Sequence, residues 1–174
     1  SGIDLDDDKK ARFKEIKQAL SRLKSSYENN VLDATHGWSK TLDSESQLAG
    51  LPESARAMAK QTAERENQSG WVFNLEFPSY FAIMTHADDR QLREEFYTAY
   101  CTRASDQGPN AGQWDNSGNM EDIMALRQEL AQLLDFNNYA EYSLATKMAD
   151  STDEVIDFLE QLANQSRKVA EQDI

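Results

Sequence analysis

The chain has 174 residues, and its 31 acidic and 18 basic side chains give a formal net charge of −13 at pH 7. Such a surface repels phosphate backbones and anionic lipid head groups, which argues against nucleic-acid and membrane partners. Apolar runs such as Phe81 to Met84 fall far short of the roughly 20 residues that a transmembrane helix needs, and the single cysteine, Cys101, which we expect to be buried, suits the reducing cytoplasm.

The first predicted element is a long amphipathic helix from about Asp7 to Ala34, which His36 and Gly37 end. Its apolar residues recur every three or four positions, a spacing that places them on one face of a helix. They are Phe13, Ile16, Leu20, Leu23, Tyr27 and Val31. A face of this kind could bind a partner helix, but packing against the protein's own core is the favoured interpretation.

Two stretches have strand character, 38–43 and 71–77. The second is rich in aromatic and β-branched residues and is stopped by Pro78. Because a lone strand leaves its backbone groups unpaired, we expect the two stretches to form an antiparallel ribbon.

The segment between the two strands is predicted to contain a capping-box turn at Ser44 and a helix from Gly50-Leu51-Pro52 to about Gln68. This helix is alanine-rich and weakly apolar, so we expect it at the periphery of the fold. Its expected inner face consists of Ala55, Met58, Ala59 and Thr62.

Five further helices are predicted after the ribbon. A short one runs from Tyr80 to about His86, and the next is capped by Asp88 or Asp89. The expected inner face of the latter consists of Leu92, Phe96, Ala99 and Tyr100. A core helix follows with Met120, Ile123, Leu126, Leu130, Leu133 and Leu134, and it ends near Asp135. A shorter helix begins at Asn137 or Asn138, and the last follows a capping-box match at 151–154.

The predicted fold is therefore mainly α, a single helical domain over residues 1–174 with six or seven helices and one small two-stranded antiparallel β-ribbon. Ten apolar residues are expected in its core. They are Phe13, Ile16, Leu20, Leu23, Phe96, Ile123, Leu126, Leu130, Phe158 and Leu162.

The segment 103–116, RASDQGPNAGQWDN, is predicted to be an ordered loop between two helices. Gly108, Pro109 and Gly112 forbid a continuous helix, whereas Trp114 is too large and apolar for a flexible tether. The loop could contact a peptide backbone or brace the neighbouring helices. Bracing is favoured, because asparagines supply local hydrogen bonds.

Motifs for catalysis or metal binding do not occur in the sequence. The two histidines, His36 and His86, have no second histidine or cysteine at ligand spacing. The aspartates after His86, in H-A-D-D, sit at a helix junction where they can cap. No Gly-rich phosphate loop and no nucleophile elbow is present. We therefore predict no catalytic, cofactor-binding or metal-binding residues.

Several segments, taken in chain order, share one family resemblance. The central ones are RASDQGPNAGQWDN, MALRQELAQLLDF and NYAEYSLATKMAD. Earlier pieces agree: SGIDL, YENNVLDATHGWSK and FPSYFAIMTHADDRQLREEFYTAY. Together they resemble the oligopeptidase A and thimet oligopeptidase family of zinc metallopeptidases, and the resemblance covers essentially the whole chain.

The resemblance implies that the parent protein holds zinc through a helical H-E-x-x-H motif and a downstream glutamate, none of which this sequence supplies. It further implies that the chain is an internal, non-catalytic part of such an enzyme. In that role it forms the helical wall of a channel for short peptides, its partner is the zinc-bearing domain, and alone it binds no zinc and is inactive. The alternative is a stand-alone acidic α-helical interaction module without enzyme activity. An open reading frame that continues into H-E-x-x-H would distinguish the two.

Overall fold

The computed structural model of the protein describes residues 5–173, so the first four residues of SGIDL and Ile174 lie outside it. The described range contains seven α-helices and one two-stranded sheet, which confirms the mainly α class. The elements are α1 (Asp7–His36), β1 (Ser39–Leu42), α2 (Glu53–Arg65), β2 (Trp71–Asn74), α3 (Phe77–His86), α4 (Arg90–Cys101), α5 (Ser117–Leu133), α6 (Tyr139–Leu144) and α7 (Thr152–Ala170). Across these residues, none of the helices combines the length and the apolar character that crossing a bilayer demands.

The predicted antiparallel ribbon is present, with Ser39 opposite Asn74 and Leu42 opposite Trp71. The second strand is shorter than predicted, because the chain already turns into α3 at Phe77. Pro78 lies in the first turn of α3, where its missing N–H leaves no intrahelical hydrogen bond unmade.

The chain divides into two compact units. We call Leu23–Met120 the central unit, and Ser1–Arg22 together with Glu121–Ile174 the terminal unit.

The central unit has a dense core between the ribbon and helices α2, α3 and α4. Phe73 and Phe96 are fully buried, and the ring of Trp38 packs edge-on against Phe96 with 4.9 Å between ring centroids. The buried cluster consists of Leu42, Leu48, Leu51, Ala59, Phe73, Leu75, Ile83, Ala87, Leu92, Phe96 and Ala99.

Helix α2 contributes more to this core than its composition indicates. Its buried residues are Ala55, Ala59 and Ala63, which repeat every four positions and face β2. Small side chains let the helix backbone approach the ribbon closely. The peripheral placement was therefore wrong, and Met58 of the predicted inner face is exposed.

In the terminal unit, an ion pair joins the first half of α1 to the second half of α5. Ile16, Leu130 and Ala131 are fully buried there. At the surface, the Arg12 guanidinium donates to both carboxylate oxygens of Glu129, at 2.6 and 2.8 Å. These two hydrogen bonds hold the pKa of Glu129 below its ordinary value.

Of the ten predicted core residues, Ile16, Phe96 and Leu130 are buried. Five more are half-buried: Phe13, Leu20, Leu23, Ile123 and Leu126. The prediction was wrong for Phe158 and Leu162, which are 62% and 51% exposed. Both belong to the apolar side of α7, which is exposed over most of its length.

Cys101 is exposed rather than buried. The buried side of α4 carries Leu92, Phe96 and Ala99. Cys101 follows Ala99 by two residues, which turns its side chain about 200° away around the helix axis.

Candidate functional site

The loop 103–116 connects α4 to α5 and is closed at its base by the Asn116 N–H, which donates to the Ala104 carbonyl at 3.0 Å. Inside the loop, the Gly112 N–H donates to the Ser105 carbonyl, also at 3.0 Å. The backbone is left-handed at Ala104, Gly108, Gly112 and Trp114. Conformations of this kind persist in non-glycine residues where the surroundings fix them, so the loop has a defined shape.

Asn116 ties this loop to α1 and α5 through a fully buried amide. Its Oδ1 accepts from the Nδ2 of Asn30 at 2.9 Å and from the Nδ2 of Asn119 at 2.8 Å. Its Nδ2 donates to the Tyr27 carbonyl at 3.2 Å. Because burial without partners is costly, the satisfied amide fixes how the loop meets the two helices.

Trp114 lies against the end of α1 at Gly37. A Cβ added to Gly37 would come within 2.2 Å of the Trp114 Cη2 atom, so the ring occupies the space that any side chain would need. The Asn110 Nδ2 donates to the Gly37 carbonyl at 3.3 Å. Trp114 and Asn110 together hold the loop against the helix end.

Arg103 anchors the start of the loop in a three-layer stack. Its guanidinium lies 3.6 Å from the Tyr100 ring centroid, and the Tyr100 ring stacks on Tyr80 with 3.8 Å between centroids. The Arg103 Nη1 donates to the Thr35 Oγ1 at 2.7 Å, which links the stack to α1. Partial burial, with a smaller effect of Cys101, raises the pKa of the Tyr80 phenol.

Two cavities adjoin these elements. The cavity beneath the loop, near Leu75, Ala99 and Pro109, measures about 10 Å³, the volume of about one water molecule. An open groove of about 280 Å³ lies between α2 and α3 and is lined in part by Met58 and Phe81. The loop is thus packed as a brace, whereas the groove offers space for one large side chain.

The described residues do not provide a zinc site. The His36 Nε2 lies 3.7 Å from the Glu76 Oε1, and His86 lines the α2–α3 groove. Asp89 of the H-A-D-D segment caps α4, as predicted, by accepting from the N–H groups of Gln91 and Leu92 at 2.8 and 3.3 Å. Between residues 5 and 173, no three His, Cys, Asp or Glu side chains are grouped to hold a metal ion. That the chain binds no metal stays a prediction.

Comparison with known proteins identifies the class. The model of peptidase family M3 matches residues 83–174, more than half of the chain, including the whole of the loop 103–116. The chain belongs to peptidase family M3.

Individual relatives are similar along the whole chain. Oligopeptidase A of Salmonella typhimurium is 56% identical over all 174 residues, and Oligopeptidase A of Escherichia coli is 55% identical over the same length. The organellar oligopeptidase A of Arabidopsis thaliana is 41% identical over 99% of the chain. The chain spans 26% of the length of the two bacterial relatives and 22% of the plant one.

Proposed function

We propose that residues 1–174 form a helical, non-catalytic domain of a longer zinc-dependent oligopeptidase that hydrolyses short peptides in the cytoplasm. The similarity to Oligopeptidase A over the whole chain is the observation that carries the proposal. Membership of a peptidase family supports the reaction class.

The side chains of this chain favour a structural role over a catalytic one. Zinc-dependent hydrolysis requires a metal to polarise the carbonyl group and a carboxylate placed as a general base. His36 ends α1 beside Glu76, and His86 ends α3, so neither histidine has a second ligand of the H-E-x-x-H kind. In this proposal the zinc-bearing domain of the longer protein supplies those groups.

We assign the helices to the wall of the substrate channel. The features that support a wall are the 30-residue helix α1, about 45 Å long, and the braced loop 103–116. A rigid wall admits short unstructured peptides. It excludes folded proteins, because these would have to unfold before they could enter the channel. The role needs no reactive side chain in this chain.

Two measurements on purified protein test the proposal. The 174-residue chain should hold no stoichiometric zinc by elemental analysis after dialysis, and it should not cleave a quenched fluorescent peptide. A chimera in which the chain replaces the matched segment of Escherichia coli Oligopeptidase A should cleave that peptide, and a chelator should stop it. Chelator-sensitive turnover by the isolated chain would contradict the non-catalytic role. An inactive chimera would favour a stand-alone interaction module.

A further inference from the structure

The α2–α3 groove is an apolar space that the central unit leaves open. It measures about 280 Å³. Ala55 of α2 and Ala82 of α3 line it and are both buried, so the space exists because its deepest side chains are small. Met58 and Phe81 line it nearer the surface, where they are 36% and 52% exposed. The groove therefore presents apolar atoms to solvent.

The lining favours an aromatic occupant. Phe77 stacks on the lining residue Phe81 with 5.5 Å between ring centroids, and Phe77 is itself 64% exposed. A further ring can pack against Phe81 in a stacked or an edge-on arrangement, and the Met58 thioether makes favourable contacts with ring edges. An aliphatic side chain would gain neither interaction.

The volume of the groove fits one aromatic side chain. A cavity of about 150 Å³ is enough to hold benzene in a protein interior. The groove, at about 280 Å³, therefore holds a ring and part of the backbone that carries it. Two polar residues, Ser54 and His86, also line the groove and offer hydrogen-bonding groups to that backbone.

Backbone contacts fix one end of the groove before anything binds. The Asp88 N–H donates to the Ala49 carbonyl at 3.0 Å. Gly50 has a φ of 82°, and a Cβ there would lie 2.1 Å from the His86 carbonyl oxygen, so backbone packs directly on backbone. The turn before α2 is thereby tied to the end of α3, and binding requires little ordering of the protein.

We propose that the α2–α3 groove binds an aromatic side chain of a short peptide. The ring packs against Phe81 and Met58, and the peptide backbone crosses the groove beside Ser54 and His86. The inference rests on the proposed function, which supplies short peptides as the ligands, and it adds a preference for an aromatic residue at one position of the bound peptide.

Methyl NMR of the isolated chain tests the inference at the groove itself. Carbon-13 labelling of the methionine methyl groups gives a signal for Met58, which a Met58→Leu variant assigns, and signals for Met120 and Met124 as internal controls. The ligands are three capped tripeptides of alanine whose central residue is phenylalanine, leucine or alanine.

We expect the phenylalanine peptide to shift the Met58 signal through its ring current at concentrations of about 1 mM. The leucine peptide should bind at least about fivefold more weakly, and Phe81→Ala should weaken binding of the phenylalanine peptide by a similar factor. Tyr97→Ala removes a ring of α4 that is 55% exposed and should leave binding unchanged. An unchanged signal of Met84, which packs against the core, shows that each variant is folded.

Several results would overturn the inference. One is an unchanged Met58 signal, and another is equal affinity for the phenylalanine and leucine peptides. Shifts confined to Met120 or Met124, or equal losses from Phe81→Ala and Tyr97→Ala, would place the binding elsewhere. If p-cresol bound as tightly as the phenylalanine peptide, free aromatic molecules rather than peptides would be the occupants.

Binding is measured without catalysis, so failure of the inference and failure of the proposed function can be told apart. An active Escherichia coli Oligopeptidase A chimera together with an unchanged Met58 signal keeps the proposed function and overturns the inference. An inactive chimera together with a Met58 shift that depends on the aromatic residue contradicts the proposed function and upholds the groove as a peptide site.

Discussion

The central and terminal units use their apolar residues in different ways. In the central unit, the ribbon and three helices enclose large side chains such as Phe73 and Phe96, which are fully buried. In the terminal unit, the fully buried apolar side chains of the described residues are Ile16, Leu130 and Ala131, and Phe158 is more than half exposed. The central unit therefore contains its own core, whereas the terminal unit leaves much of the apolar side of α7 exposed. Helices of both units have an apolar side, so the neighbours of a helix decide whether that side is buried.

The largest expected effect is the difference in stability loss between truncating Phe96 and truncating Phe158. Phe96→Ala should lower the free energy of unfolding by about 3–5 kcal/mol, because it empties a buried site against Trp38. Phe158→Ala should change it by less than about 0.5 kcal/mol, since an exposed side chain leaves no cavity. Urea denaturation of the purified chain measures both, and equal losses would show that α7 is packed in the isolated chain.

The next effect concerns buried polar groups of the central unit. Asn116→Ala should cost about 1–3 kcal/mol, because it removes the acceptor of the Asn30 amide and one of the two acceptors of the Asn119 amide. Asn164→Ala, on the exposed side of α7, is the matched control and should change stability little. Chemical denaturation compares the two variants, and a neutral Asn116→Ala would mean that water replaces the amide.

A comparable loss is expected where the loop meets α1. Gly37→Ala should cost about 1–3 kcal/mol, because the new Cβ overlaps the Trp114 ring and the ring must move. Gly118→Ala in α5 has open space around the added atom and should not destabilise. Thermal unfolding measures the stability of both variants. In a Trp114→Ala background Gly37→Ala should destabilise the protein less, because the overlap with the ring is gone.

The smallest effect is electrostatic and belongs to the terminal unit. Hydrogen bonds from Arg12 lower the pKa of Glu129, so this carboxylate stabilises the folded state above its unfolded pKa of about 4.3. That contribution is lost as the pH falls through the lower folded pKa. Glu129→Gln should therefore reduce stability at pH 7, and the difference from wild type should disappear in strong acid.

Unfolding followed by circular dichroism across pH tests this expectation. Glu28→Gln removes the exposed pair with Lys24, which spans 3.7 Å in the central unit, and should have a weaker effect. Added salt should reduce both effects. A Glu129→Gln difference that persisted unchanged in acid would contradict the assigned cause.

Local patterns predicted most of the fold. Apolar periodicity located α1, and the aromatic run before Pro78 located β2, because each of these signals is contained within one element. Periodicity identified the apolar side of α7 correctly, but it carries no information about whether another element covers that side. The burial of Phe158 was mispredicted for this reason.

The contacts of the loop depend on residues far apart in sequence, and sequence reasoning missed them. Trp114 was recognised as too apolar for a tether, yet nothing in the chain indicates that its ring rests on Gly37. The favoured bracing role assigned local hydrogen bonds to the asparagines, and Asn116 does bond to Asn119, but it also bonds to the distant Asn30 of α1. Glycine and asparagine occur in many turns, so their identities alone do not select a distant partner.

The two left-handed glycines of the loop also differ in how much change they tolerate. A Cβ at Gly108 would lie 1.8 Å from the Thr102 Oγ1, whereas at Gly112 nothing lies within 4 Å. A side chain at position 112 therefore meets the strain of a left-handed backbone but no overlap, whereas at position 108 it must also displace Thr102. Asparagine, which tolerates a left-handed backbone better than most residues, should be accepted at position 112 and rejected at position 108.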